Sequence, residues 1–143
     1  MLGRLAKWLR IMGFDTVYDT EIANEDLVRR AVQERRTILT RHRTLPDQWR
    51  VDAIYVVEAE RTLDQLRELV AARRLGGECR PFTRCSRCGS ELVEVTPDKA
   101  TGAVPSDVLA TQQPFLRCPG CRRFCWEGSH TERMRLALEK ILA

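Results

Sequence analysis

The chain has no apolar run approaching the roughly 18–20 residues that cross a bilayer, which excludes a transmembrane helix. Its first residues do not read as a secretion signal either, because Arg4, Lys7 and Arg10 interrupt every candidate apolar core. Internal repeats and low-complexity tracts are absent. Charge of one sign is scarce as well: 24 basic side chains face 20 acidic ones, for a net charge of +4. That balance permits nucleic-acid binding without demanding it. The expected setting is the cytoplasm, whose reducing chemistry disfavours disulfides and favours metal thiolates.

What is present is a globular composition, 43% hydrophobic and 31% charged, on 143 residues. That length holds one ordinary domain, or a small domain with a metal-stapled appendage. Most of the basic side chains are arginine, whose planar fork suits bidentate contact with phosphate better than lysine does.

Hydrophobic spacing predicts an amphipathic helix over residues 2–12, with Leu2, Leu5, Leu9 and Met12 on one face and Gly13 as its stop. A short strand is predicted from Phe14 to Tyr18, then a helix over residues 24–35 with Asn24 as N-cap. Glu25 and Asp26 in its first turn suit the helix dipole. Thr37–Thr40 and Asp52–Glu58 read as strands, nearly continuous in apolar residues, which suits a parallel sheet buried on both faces. Leu63–Leu75 is a further helix, spaced by Leu63, Leu66, Leu69 and Val70. This alternation argues an α/β fold over residues 1–75. Gly76 and Gly77 mark the expected boundary, and residues 76–143 form the second unit. Within it, residues 96–114 read as a long loop, and residues 131–142 as a helix with Met134, Leu138 and Ile141 on one side.

Two Cys-x-x-Cys pairs, Cys85/Cys88 and Cys118/Cys121, sit in knuckle-type settings. A tight turn brings both sulfurs of a pair within about 2.3 Å of a zinc ion, and Gly89 eases the first turn. Four protein ligands leave no open position for water, so a zinc ion held by these four is expected to be structural. A redox pair is a poorer reading, since it needs one Cys-x-x-Cys near a βαβ unit. Iron–sulfur ligation is compatible with the spacing, although the flanking residues favour zinc. Cys79 and Cys125 are surplus; Cys125 competes with Cys121 as a ligand only without the Cys-x-x-Cys spacing.

Met1-Leu-Gly-Arg-Leu-Ala-Lys-Trp-Leu-Arg10, Gly13-Phe-Asp-Thr-Val-Tyr-Asp19 and Ile38-Leu-Thr-Arg41 resemble the Mut-seven C-terminal domain family. So do Arg84-Cys-Ser-Arg-Cys-Gly89, Val104-Pro105, Phe115-Leu-Arg-Cys-Pro-Gly-Cys121 and Trp126-Glu-Gly-Ser-His130. The resemblance implies a PIN-like parallel-sheet ribonuclease domain followed by a zinc ribbon and C-terminal helix. It also implies metal-dependent RNA hydrolysis, in which carboxylates at the C-terminal edge of the sheet hold Mg²⁺ or Mn²⁺.

Three positions depart from the family pattern. The family begins with a strand ending in Asp just before the Met-Leu-Gly segment, whereas this sequence begins at that Met. Either the start lies upstream or the strand is missing. Asn24 stands where a family Asp is placed, and His42 replaces the Asp of a Leu-Thr-Arg-Asp motif. His42 removes a negative charge and suits Mg²⁺ poorly. Weakened or lost hydrolysis is therefore expected. Asp19, Glu21, Glu25 and Asp26 are the catalytic candidates, with Asp15, Asp47 and Asp52 as further acids; for most of these a solvated carboxylate or helix cap is the simpler role.

RNA is the expected partner. Arg4, Lys7 and Arg10 recur at helical spacing, Arg41 and Arg43 flank His42, and Arg122 and Arg123 follow the second knuckle beside Phe124 and Trp126. Arginines with aromatics offer charge for phosphate and rings for base stacking. The alternative for Phe124 and Trp126 is packing of the ribbon core. His130 is a candidate phosphate or metal contact, or a residue behind an N-capping Ser129. A second class of function is a non-catalytic RNA- or ribosome-binding module. A third is a protein partner or homodimer formed through an exposed sheet edge.

Overall fold

The computed structural model describes residues 2–50, 53–111 and 113–143. Helix α1 (Gly3–Ile11) buries Leu5, Ala6, Leu9 and Ile11, and Met12 behind it is fully enclosed. The helix ends at Gly13, whose φ of +96° is one that side chains rarely adopt. Close approach adds to that demand: a Cβ there would lie 2.3 Å from the Arg80 carbonyl oxygen. The crowding arises because Arg80 N–H donates to Met12 O (2.7 Å) and Phe82 N–H to Ile11 O (2.8 Å). The chain returning from far in sequence is thus bonded directly to the end of α1.

Helix α2 (Asn24–Glu34), strand β1 (Ile38–Thr40), the single turn α3 (Leu45–Gln48), strand β2 (Ile54–Val56) and helix α4 (Thr62–Arg73) complete the first half. β1 and β2 pair in parallel, Ile38 opposite Ile54 and Thr40 opposite Val56. Val28, Ala31, Ile38 and Leu45 form a small core under α2. A larger one gathers Leu5, Leu9 and Met12 from the α1 region with Val57, Leu66 and Leu69.

Several elements differ from the sequence-based expectation. Phe14–Tyr18 is irregular backbone rather than a strand, and the Thr16 carbonyl is taken by Arg10 Nε at 2.9 Å. Asn24 lies inside the first turn of α2, and the cap position belongs to Ala23, with extended backbone and no side-chain bond. β2 is shorter than expected and its three residues are half-buried, because the parallel sheet has two strands among the described residues. Asp52 falls outside the described residues.

A 3₁₀ turn (Leu75–Glu78) follows α4, with Gly76 and Gly77 inside it. Strands β3 (Val93–Val95), β4 (Phe115–Arg117) and β5 (Phe124–Cys125) make an antiparallel sheet in the order β3-β4-β5. Residues 96–114, expected as loop, hold a 3₁₀ turn (Pro97–Ala100) and the short helix α5 (Ser106–Leu109). They have a core of their own in Ala100, Val104 and Phe115, against which Phe124 and Trp126 pack.

The last helix, α6 (Ser129–Leu142), starts two residues earlier than expected, and Gly128 rather than Ser129 occupies its cap position, without a side-chain bond. It returns to the first half. Leu138 is 2% exposed in the large core, with Met134 and Ile141 packed beside it. Burying one such leucine contributes about 1.5–3 kcal/mol, so the docking of α6 adds materially to the stability of the large core.

Candidate metal centre and basic surface

Each knuckle is built by its own backbone. In the first, Cys85 N–H donates to Ser90 O (2.9 Å) and Gly89 N–H to Cys85 O (2.8 Å). In the second, Cys118 N–H donates to Arg123 O (2.8 Å) and Arg122 N–H to Cys118 O (2.8 Å). β4 leads into the second knuckle and β5 leaves it, so their pairing fixes its turn. Both turns pass through positive φ, at Gly89 and at Arg122.

The four sulfurs of Cys85, Cys88, Cys118 and Cys121 all lie within 4.8 Å of one another. Cys88 and Cys118 approach to 3.3 Å, and Cys85 and Cys121 to 3.6 Å. Tetrahedral thiolates at about 2.3 Å from a metal stand about 3.8 Å apart, so this set fits an ion such as zinc with little adjustment. The donor set agrees: four soft sulfurs suit a thiophilic ion. Cys121 N–H points at Cys118 Sγ (3.4 Å), which fixes that sulfur within the second knuckle. Cys88 is the exposed member, and its pKa is pushed down to about 6, first by the Ser90 hydroxyl at 3.4 Å and then by the Ser90 backbone N–H. Burial pushes the Cys125 thiol up, and the neighbouring Cys85, Cys118 and Cys121 add to it. Cys125 therefore stays a thiol beside the four. Burial also raises Cys79, at the edge of the large core.

Gly120 lets the two knuckles meet. A Cβ there would lie 2.5 Å from Ser90 Oγ and 3.1 Å from Cys88 Sγ. On the other flank, arginines join the first knuckle to α1. Arg10 donates to Thr16 O (2.9 Å) and Arg87 O (2.8 Å), and Arg84 donates to Gly13 O (3.2 Å) and Gly89 O (2.9 Å).

The catalytic candidates stand apart from this centre. Among the described residues the four thiols are the group of metal-ligating side chains that close around one point; Asp19, Glu21, Glu25 and Asp26 do not form another. Glu25 and Asp26 both pair with Arg29, at 3.1 and 3.3 Å. Asp19 Oδ1 accepts the Glu21 N–H (2.9 Å) in a local turn. Asp15 pairs with Arg36 (3.0 Å), and Asp47 is exposed on α3.

At the C-terminal end of β1, His42 is exposed, with its N–H on Thr40 Oγ1 (3.0 Å) and its Nδ1 3.1 Å from Thr44 Oγ1. Arg43 is exposed beside it, whereas Arg41 turns inward to the Ala59 carbonyl. Arg4 and Lys7 are exposed on α1, and Arg10 is committed to the bonds above. Arg122, Arg123 and His130 are exposed, and Trp126 is half-buried on the small core.

Sequence reasoning missed Glu68. This α4 carboxylate accepts the Tyr55 hydroxyl (3.0 Å) and the backbone N–H groups of Glu58 (3.0 Å) and Ala59 (2.9 Å). Burial pushes its pKa up, but those two N–H groups, Tyr55 and Arg41 outweigh that and hold it below the ordinary value. Gln65, buried, donates to Ala59 O (2.9 Å). Glu68, Gln65 and Arg41 together fix the loop leaving β2. No spacing rule signals this, since the partners are main-chain groups.

An α/β layer joined to an antiparallel unit that closes four thiols around one point defines a metal-ribbon protein. The family model described as the Mut7-C RNAse domain matches residues 1–138, and the chain belongs to that family. That membership points to a ribonuclease-related function. No curated protein and no solved structure matches the chain.

Proposed function

We propose that the chain is an RNA-binding member of this ribonuclease family in which metal-dependent hydrolysis is weakened or lost. A structural zinc ion on Cys85, Cys88, Cys118 and Cys121 would hold the ribbon half of its RNA surface. One observation carries the reading. Glu25 and Asp26 share the single guanidinium of Arg29 on the exposed face of α2 and, among the described residues, do not converge with another acid, while the C-terminal end of β1 presents His42 and Arg43 rather than carboxylates. A Mg²⁺ or Mn²⁺ site needs converging oxygens that bring negative charge. A phosphate needs the reverse, and Arg43, His42, Arg122, Arg123, Arg4 and Lys7 are exposed for it. In this reading residues 1–75 form the nuclease-like unit and residues 76–143 the ribbon, in a reducing cytoplasmic setting that keeps the thiols available to metal.

The test is end-labelled single-stranded RNA with the zinc-loaded chain in Mg²⁺ and in Mn²⁺, with Asp19→Ala alongside. The expected result is a shifted band, intact RNA, and an affinity whose log falls with log salt by about 0.7 per phosphate contact. Arg122→Ala with Arg123→Ala should weaken binding and flatten that slope. Cleavage that needs both the added metal and Asp19 would overturn the loss of hydrolysis. Intact RNA without a shift would overturn RNA binding itself.

A further inference from the structure

The two knuckles share one backbone design. In each, the residue after the second cysteine donates its N–H to the carbonyl of the first, Gly89 to Cys85 and Arg122 to Cys118, both at 2.8 Å. Both residues take left-handed backbone there, with φ of +81° and +63°. Glycine adopts that conformation without steric cost, and the first knuckle uses it. The second places an arginine where a Cβ is disfavoured. Strain kept at an exposed turn points to a use for the side chain that causes it.

Nothing within the described residues supplies that use. Arg122 is exposed, and its side chain makes no hydrogen bond, ion pair or ring contact among them. Arg123 is exposed beside it, also without an ion pair among the described residues. No Asp or Glu occurs in the sequence between Asp107 and Glu127, so the hairpin that forms this knuckle carries Arg117, Arg122 and Arg123 against no acid of its own. Helix α2 shows the contrast, for there Arg29 and Arg30 sit on neighbouring carboxylates.

The aromatic residues of the same hairpin are turned to the interior. Phe124 and Trp126 pack on the small core of Ala100, Val104 and Phe115. Arg117 lies over the Phe124 ring, its guanidinium carbon 5.8 Å from the centroid. The knuckle thus offers guanidinium groups to a phosphate rather than an open ring to a base. We propose that Arg122, with Arg123, clamps the phosphate backbone of single-stranded RNA at the second knuckle, and that no base stacks on Phe124 or Trp126. The clamp rests on the RNA-binding reading and adds its mode: contact that is indifferent to sequence, since phosphates carry none of it.

The experiment uses the full, zinc-loaded chain with an oligouridylate of about twelve nucleotides, and with the same ribose-phosphate chain lacking its bases. A stacked base adds about 5- to 150-fold in affinity, so the base-free chain is expected to bind less than about fivefold more weakly. A larger loss would overturn the proposal in favour of stacking. Arg122→Gly should lose about tenfold in affinity for the oligouridylate and about 0.7 from the slope of log affinity against log salt. Its thermal midpoint should be unchanged or higher, because glycine relieves the strained turn. A lower midpoint or weaker zinc binding in Arg122→Gly would make the arginine a countercharge to the thiolates and overturn the proposal. Arg74→Gly removes an arginine from the same left-handed backbone at the end of α4 and should bind as wild type does; an equal loss there would reduce the effect to net charge. Wild-type chain that fails to bind the oligouridylate would sink the RNA-binding reading itself, whereas binding that survives Arg122→Gly intact would sink the clamp alone.

Discussion

Replacing Gly120 with alanine should weaken the metal centre without touching a ligand. The new Cβ would sit 2.5 Å from Ser90 Oγ, closer than any non-bonded carbon and oxygen can remain. It also presses on Cys88 Sγ at 3.1 Å, and a sulfur bound to metal yields little. Ser90 must therefore swing away, and Cys88 loses the hydroxyl that contributes most to its depressed pKa. A hydrogen bond to a charged group contributes about 1.5–3 kcal/mol. Loss of such an outer contact typically lowers metal affinity about 10–100-fold. The assay is zinc competition against a chromophoric chelator at neutral pH. Ser90→Ala, which removes the hydroxyl without a clash, and Gly77→Ala, whose Cβ would meet nothing within 4 Å, serve as references. The expected order of weakening is Gly120→Ala, then Ser90→Ala, with Gly77→Ala unchanged. Unaltered zinc affinity in Gly120→Ala would refute the account of how the knuckles meet.

Gly13→Ala should be among the most damaging single changes, by about 3 kcal/mol or more in denaturant unfolding, since a left-handed backbone and a backbone clash coincide. Glu68→Gln should lower stability by about 1–3 kcal/mol, and Tyr55→Phe by about 0.5–1.5 kcal/mol, in the same measurement. Because Glu68 has a folded pKa below its ordinary 4.5, its contribution is complete above that value and fades as pH falls below it; acid titration of wild type against Glu68→Gln reads the difference. For the metal-free chain, the depressed Cys88 contributes stability that is complete above its ordinary value of 9 and is lost as pH falls toward about 6. Unfolding at several pH values, with Cys88→Ser as the flat reference, checks that sign.

The metal centre was legible because ligand chemistry constrains spacing: two sulfurs on one turn need two residues between them. α1 and α4 were legible for a related reason, as a one-sided apolar stripe has few other solutions. The strand expected at Phe14–Tyr18 failed because a strand is defined by its partner, and local sequence does not show whether a ladder exists. Arg10 illustrates the same limit. Helical spacing placed it in a solvent-facing stripe with Arg4 and Lys7, yet its guanidinium bonds a carbonyl 77 residues away. The four acids fare similarly. Their clustering in sequence says nothing about Arg29, which lies one turn further along α2 and takes up two of them.

The return of α6 to the large core makes the metal half a closed excursion of the chain. Docking α6 without metal closes a loop of about 50 residues between Cys79 and Ser129. With the four sulfurs already joined and the first flank bonded to the end of α1, the freely moving part shrinks to the segment from Cys121 to Ser129, about 8 residues. The difference in closure entropy is about 1.6 kcal/mol, or roughly a fifteenfold change in the docking equilibrium. Metal binding and the seating of the last helix therefore favour one another through chain connectivity alone, with no side chain carrying the message between them.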